Sequence, residues 1–154
     1  MIEASRRVKA RAGRLGERGA VAVEFAIVVS VLLVILTGTA QFGLTLNQSL
    51  MLTNAVATGA QLFSISRGTT TTPYTGTVSA VEAAAPSLNP ANLTITLSVN
   101  GTACTTDAAC QTALSNAATN PATVSATYPC SLAMAFYNFW PGCTLASQVT
   151  EPVQ

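Results

Sequence analysis

Hydrophobic and polar positions divide the first 68 of the 154 residues into three regimes. Residues 1–18 are polar and basic with no apolar period, which predicts an unfolded leader. Phe25 to Phe42 reads FAIVVSVLLVILTGTAQF, an apolar run of 18 residues with one amide near its end. At about 1.5 Å rise per residue such a helix is long enough to cross a hydrocarbon core of about 30 Å. A buried strand or core helix is normally shorter. From Leu44 to Ile65 there is no proline and no charge, and Leu52, Val56, Ala60 and Phe63 recur at helical spacing. Leu44, Gln48 and Met51 follow the same spacing less cleanly, while Asn47, Thr53, Asn54, Thr58 and Gln61 fill other positions. This pattern predicts an amphipathic continuation of the apolar helix. Arg67 suits the negative end of a helix dipole and Gly68 a C-terminal stop. One helix over roughly Ala20–Ser66 would be about 70 Å long, with Gly38, Gly43 and Gly59 as points of bending or close packing.

Beyond Gly68 the pattern is shorter in range. Thr69–Gly76 reads as a loop, and Val78–Ala85 as a short helix ending before Pro86. Leu93–Val99, LTITLSV, alternates as a half-buried strand does, and Asn100-Gly101 is a turn signal. Asp107–Ala118 reads as a helix or a loop tied by a disulfide, and Thr123–Tyr128 as a second strand. Met134–Trp140 is aromatic and apolar and reads as a loop plug or short helix; Leu145–Val149 is a weak third strand. The expected fold class is α+β: a long N-terminal transmembrane and amphipathic helix, then a small disulfide-stabilised domain with a short antiparallel sheet. The expected boundaries are a basic cytoplasmic leader at 1–19, the helix at 20–68 and an extracytoplasmic domain at 69–154. With so few residues to build it, the core of that domain is thin and needs help from crosslinks.

Charge sharpens the membrane reading. The net charge is +1 and only 8% of residues are charged, against about 25% in ordinary soluble domains. Residues 1–19 carry Arg6, Arg7, Lys9, Arg11, Arg14 and Arg18 against Glu3 and Glu17, a net +4. Residues 20–154 carry only Arg67 against Glu24, Glu82, Asp107 and Glu151, a net −3. A nucleic-acid-binding protein would place its cations on the folded face. Cations clustered before an apolar span instead put the N-terminus in the cytoplasm and the C-terminal body outside.

Composition also removes much chemistry. The chain has no histidine, which excludes Ser-His-Asp and Cys-His nucleophile systems and His-ligated zinc. The four carboxylates beyond position 19 are scattered, and no phosphate-binding glycine motif occurs. No enzyme, cofactor, small-molecule substrate or nucleic-acid partner is expected. Cys104, Cys110, Cys130 and Cys143 leave five, nineteen and twelve residues between them. Zinc bound by all four would normally use short CxxC knuckles, so disulfides in an oxidising compartment are favoured over a metal site. Three pairings are open; the local pair Cys104–Cys110 and Cys130–Cys143 is favoured because short loops close at lower entropic cost.

The most informative stretch is Arg18-Gly19-Ala20-Val21-Ala22-Val23-Glu24-Phe25. A carboxylate within a membrane helix costs up to about 2.5–3.5 kcal/mol at mid-bilayer depth and calls for a partner. No Lys or Arg follows Glu24 until Arg67. Cleavage after Gly19 would supply one, the new α-amino group of Ala20, in the same chain or in a neighbour. The stretch resembles the type IV prepilin signal: a basic leader, a glycine, glutamate at the fifth mature position and an apolar helix. The aromatic after the glutamate resembles the Flp/Tad variety. Residues 18–64, with Gln41-Phe42-Gly43, Leu52-Thr53-Asn54-Ala55 and Gly59-Ala60, resemble the N-terminal module of TadE-like proteins of tight-adherence pilus systems. The family commonly has an acidic residue near position 41 and basic ones around 58–61, where this chain has Gln41, Thr58 and Gln61.

The resemblance implies a minor pilin or pseudopilin of a tight-adherence (Flp) type IV pilus, in the bacterial inner membrane or a pilus, contributing to assembly and adhesion. It implies cleavage between Gly19 and Ala20 by a prepilin peptidase, and docking through Glu24 and Phe25 onto other pilin subunits and the assembly platform. Two other readings fit the residues: an uncleaved membrane-anchored scaffold of an envelope machine, and a secreted domain cut by signal peptidase after Gly38-Thr39-Ala40.

Overall fold

The computed structural model describes residues 2–130, 133–134, 137–138 and 141–154, with side-chain surroundings for 19–130 and 141–154. The chain divides into two compact units, Met1–Gln41 and Phe42–Gln154.

The first unit is the beginning of helix α1, Ile2–Ser64. The helix starts at Ile2, whereas the sequence pattern predicts an unfolded leader. The reason lies in local propensity. The leader has no proline, and Ala, Arg, Lys and Glu are good helix formers. Once the apolar run is helical, each leader residue joins by propagation and none has to start a new helix.

The second unit is an α+β domain built on the C-terminal part of α1. Leu52, Ala55, Val56, Gly59, Ala60 and Phe63 are buried there, the i, i+3, i+4 spacing of a helix face laid on a core. Helix α2, Pro73–Ala84, buries Pro73, Thr77 and Val81. It begins three residues before the end of the predicted loop, because proline at the first helical positions supplies a preset φ and lacks only an N–H that would be unpaired. The buried Thr77 hydroxyl donates to the Pro73 carbonyl at 2.7 Å. A single 3₁₀ turn at Pro90–Asn92 is capped by the Asn89 side chain.

A four-stranded antiparallel sheet follows. Its strands are β1 (Thr94–Val99), β2 (Thr102–Cys104), β3 (Pro121–Pro129) and β6 (Thr144–Pro152), in the order β2-β1-β3-β6. A separate two-stranded pair is formed by β4 (Ala133–Met134) and β5 (Tyr137–Asn138). The register places Leu97 opposite Val124 and Val124 opposite Val149, with Val99 opposite Ala122 and Ala122 opposite Glu151. That face carries the buried Leu97, Val99, Ala122, Val124 and Ala126 and belongs to the same core as Leu52, Val56 and Phe63. The opposite face presents Thr94, Thr96 and Ser98 from β1, Thr123, Ser125 and Thr127 from β3, and Ala146, Gln148 and Thr150 from β6. On it the Thr123 and Thr150 hydroxyls meet at 2.9 Å.

Helix α3, Asp107–Ser115, is capped by the Thr106 side chain and buries Cys110 and Leu114. It is both a helix and disulfide-tied, where the sequence left the two as alternatives. Strand β2 was not predicted. It joins β1 through Asn100 and Gly101, whose φ values of 51° and 78° are those of a type I′ hairpin turn. The third predicted strand, Leu145–Val149, extends to nine residues as β6 because β3 offers an equally long ladder. Where a plug or short helix was expected at Met134–Trp140, the chain pairs Met134 with Tyr137; residues 135, 136, 139 and 140 lie outside the described residues. Tyr137-Asn138 can pair with Ala133-Met134 in a hairpin because only two residues, 135 and 136, separate the strands.

Candidate functional site

Gly19, Ala20, Glu24 and Phe25 lie together on α1, and all four are exposed; Phe25 is 69% exposed. Ala20 and Glu24 are four residues apart and therefore share one face of the helix. Glu24 has no partner among the described residues. A Cβ at Gly19 would meet nothing within 4 Å, so packing does not require glycine there.

The helix beyond Glu24 suits a medium without water. The most apolar 18-residue stretch within Gly19–Ser64 has a mean hydropathy of 2.7, and none of it is buried. Its few hydroxyls turn back onto their own helix: Ser30 donates to the Ala26 carbonyl at 2.8 Å, Thr37 to Leu33 at 2.8 Å and Thr39 to Leu36 at 3.0 Å. A polar group that satisfies itself locally can enter hydrocarbon without an unmade hydrogen bond.

In the second unit all four cysteines are paired. Cys104–Cys110 joins the end of β2 to the second turn of α3 with Cα atoms 5.1 Å apart. Cys130–Cys143 joins the end of β3 to the approach to β6 at 5.0 Å, and the Cys130 N–H donates to the Cys143 carbonyl at 3.0 Å. Thiolates for a four-cysteine zinc site are therefore not present.

The polar clamps of this unit are structural in geometry. Asp107, at the first turn of α3, accepts from the Thr75 hydroxyl at 2.6 Å and from the Thr75 N–H at 2.9 Å. The hydroxyl bond first, and the backbone bond next, hold the Asp107 carboxyl below the ordinary carboxylate range. The Arg67 guanidinium donates to the Ser115 carbonyl at 3.3 Å, so it serves the C-terminal end of α3 rather than that of α1. Neither Thr75 nor this use of Arg67 stands out in the sequence, because both contacts join segments more than thirty residues apart. The surface depressions lined by Gly68, Thr69, Thr70, Thr71 and Gln111, and by Ser125, Thr127, Ala146 and Gln148 among others, contain no ionisable side chain.

No curated protein and no solved structure gives a significant match to the chain. The family model described as TadE-like protein matches residues 19–61. The match begins at the glycine, takes in Glu24, the apolar run and the buried residues from Leu52 to Ala60, and ends at the exposed Gln61. From Gly19 to Gln61, helix α1 is thus similar to the TadE-like family.

Proposed function

We propose that this chain is a minor pilin or pseudopilin of a tight-adherence (Flp) type IV pilus system. One observation carries the reading: the TadE-like match takes in an apolar, unburied helix stretch headed by Gly19, Ala20 and Glu24. The basic leader holds the precursor with its N-terminus in the cytoplasm. A prepilin peptidase cuts the Gly19–Ala20 bond. The freed amine of Ala20 and the Glu24 carboxylate then form an ion pair, within the chain or with a neighbouring subunit, and relieve the cost of a lone carboxylate in lipid. The apolar helix packs against other pilin helices at the assembly platform. The outer domain modulates or caps the fibre and contributes to adhesion. Paired thiols fit an oxidising compartment outside the inner membrane.

Mass spectrometry of the N-terminus of the membrane-associated protein tests this directly. The expected mature chain begins at Ala20. A chain that still begins at Met1 or Ile2 fits an uncleaved anchored scaffold and sinks the processing claim. A soluble fragment beginning at Gln41 fits a secreted domain and sinks it equally.

A further inference from the structure

The two edges of the sheet are built differently. Edge β2 is three residues long, and shortness is one of the ways natural sheets keep an edge from recruiting another strand. Edge β6 is nine residues long, pairs with β3 without a bulge, and contains no Lys or Arg. From Leu145 to Thr150 it has no charge and no proline. Among the described residues no strand lies beyond it.

The hydrogen-bond parity of the sheet shows which groups this edge offers. The Asn100 N–H donates to the Pro121 carbonyl, so odd-numbered residues of β3 turn their backbone groups toward β1. Even-numbered residues of β3 turn theirs toward β6 and bond its residues 145, 147, 149 and 151. At the two ends the Cys130 N–H donates to the Cys143 carbonyl and the Val153 N–H to the Asn120 carbonyl, with the same parity. The N–H and C=O groups of Thr144, Ala146, Gln148 and Thr150 therefore point away from the sheet. Pro152 has no N–H to offer there.

We infer that β6 pairs antiparallel with β6 of a second copy of this chain, with Ser147 on the two-fold axis. Side-chain faces must match across the ladder, so only registers that pair residues of like parity are allowed. Centred on Ser147, Ala146 pairs with Gln148 and Thr144 with Thr150 of the other copy, and every outward N–H and C=O of these four residues finds a partner. Leu145 then lies opposite Val149 on the core face, an apolar cross-strand pair made twice. Centred on Gln148 instead, Leu145 would face Glu151, and the Thr144 carbonyl would face a proline. The favoured register also keeps Glu151 of one copy away from Glu151 of the other. An edge of this length buries less than a standard interface of about 1,600 Å². Confinement of both copies by their apolar helices raises the effective concentration that such a contact needs.

The Ser147 pair is of the non-hydrogen-bonded kind, with Cα atoms about 4.5 Å apart, within the range a disulfide spans. The test is mild oxidation of full-length Ser147→Cys in membranes, read on a non-reducing gel. Gln148→Cys and, on the other edge, Ala103→Cys serve as comparisons. The expected result is a dimer several-fold more abundant for Ser147→Cys than for either. Equal or greater dimer from Gln148→Cys overturns the register, and crosslinking of Gln148→Cys to a co-expressed Ala103→Cys copy, both on the outer face, replaces it with head-to-tail pairing. Proline at an outward-facing edge position leaves the β3 ladder intact. Ala146→Pro added to Ser147→Cys should therefore lower the dimer several-fold without moving the unfolding temperature; an unchanged dimer also overturns the inference. The crosslink needs neither cleavage after Gly19 nor a pilus, so its failure is separable from failure of the pilin reading.

Discussion

Glu24 is the residue whose surroundings change most if the chain is cut after Gly19. Before the cut it is an exposed carboxylate at the head of an apolar helix, without a partner among the described residues. After the cut a primary amine stands one helical turn away on the same face. Hydrogen bonds to charged groups contribute roughly 1.5–3 kcal/mol, which corresponds to about tenfold or more in a docking equilibrium. Glu24→Ala is therefore expected to leave membrane insertion and abundance intact while reducing incorporation into sheared surface fibres roughly tenfold. Immunoblots of membrane and sheared fractions read this, and unchanged pilus output would remove Glu24 from the docking mechanism.

At the scale of elements, the contact between α1 and α2 depends on a missing side chain. A Cβ on Gly59 would overlap the buried Val81 Cγ2 and reach the Thr77 Cγ2 at 3.5 Å. Val81 is β-branched and fully buried, so it has little freedom to move aside. Gly59→Ala should gain helix propensity of up to about 1 kcal/mol and lose about 1–3 kcal/mol to overpacking. The net expectation is a lower unfolding temperature for the detergent-solubilised protein; a higher one would mean that the helices separate at no cost. Gly59 was visible in the sequence as a close-packing point, but not what it packs against. The same division holds elsewhere. The spacing of Leu52, Val56, Ala60 and Phe63 and the alternation of LTITLSV were legible because each reflects one element meeting one core face. Strand β2 was not, since three residues carry no period and its pairing comes from the Asn100-Gly101 turn. The helical leader is not legible in the pattern because it has no apolar period and its helix needs only propagation from a neighbouring one. The proposed roles of Gly19, Ala20, Glu24 and Phe25 rest on residues that are neighbours in the chain, which is why a sequence pattern can hold them. The clamp of Thr75 on Asp107 was not, because it is made by folding.

For the molecule as a whole, the two disulfides stabilise different things. Cys104 and Cys110 are buried, whereas Cys130 and Cys143 are only half-buried. Loop closure favours the longer loop by about 0.6 kcal/mol, since its sequence separation of 13 is roughly twice the other's 6. Serine hydroxyls placed at buried positions cost about 1–3 kcal/mol when unpaired, and this larger effect decides the order. The double variant Cys104→Ser/Cys110→Ser is expected to unfold at a lower temperature than Cys130→Ser/Cys143→Ser. The reverse order would show that the long loop carries the domain.

The outer face of the sheet has a consequence for conditions rather than for partners. Its Thr, Ser, Ala and Gln side chains include no ionisable group from Thr94 through Thr150. Coulombic attraction between surfaces fades over about 8 Å at physiological ionic strength and over about 3 Å at 1 M. A face without charge has none to lose. Whatever rests on these strands would hold equally well in fresh water and in brine.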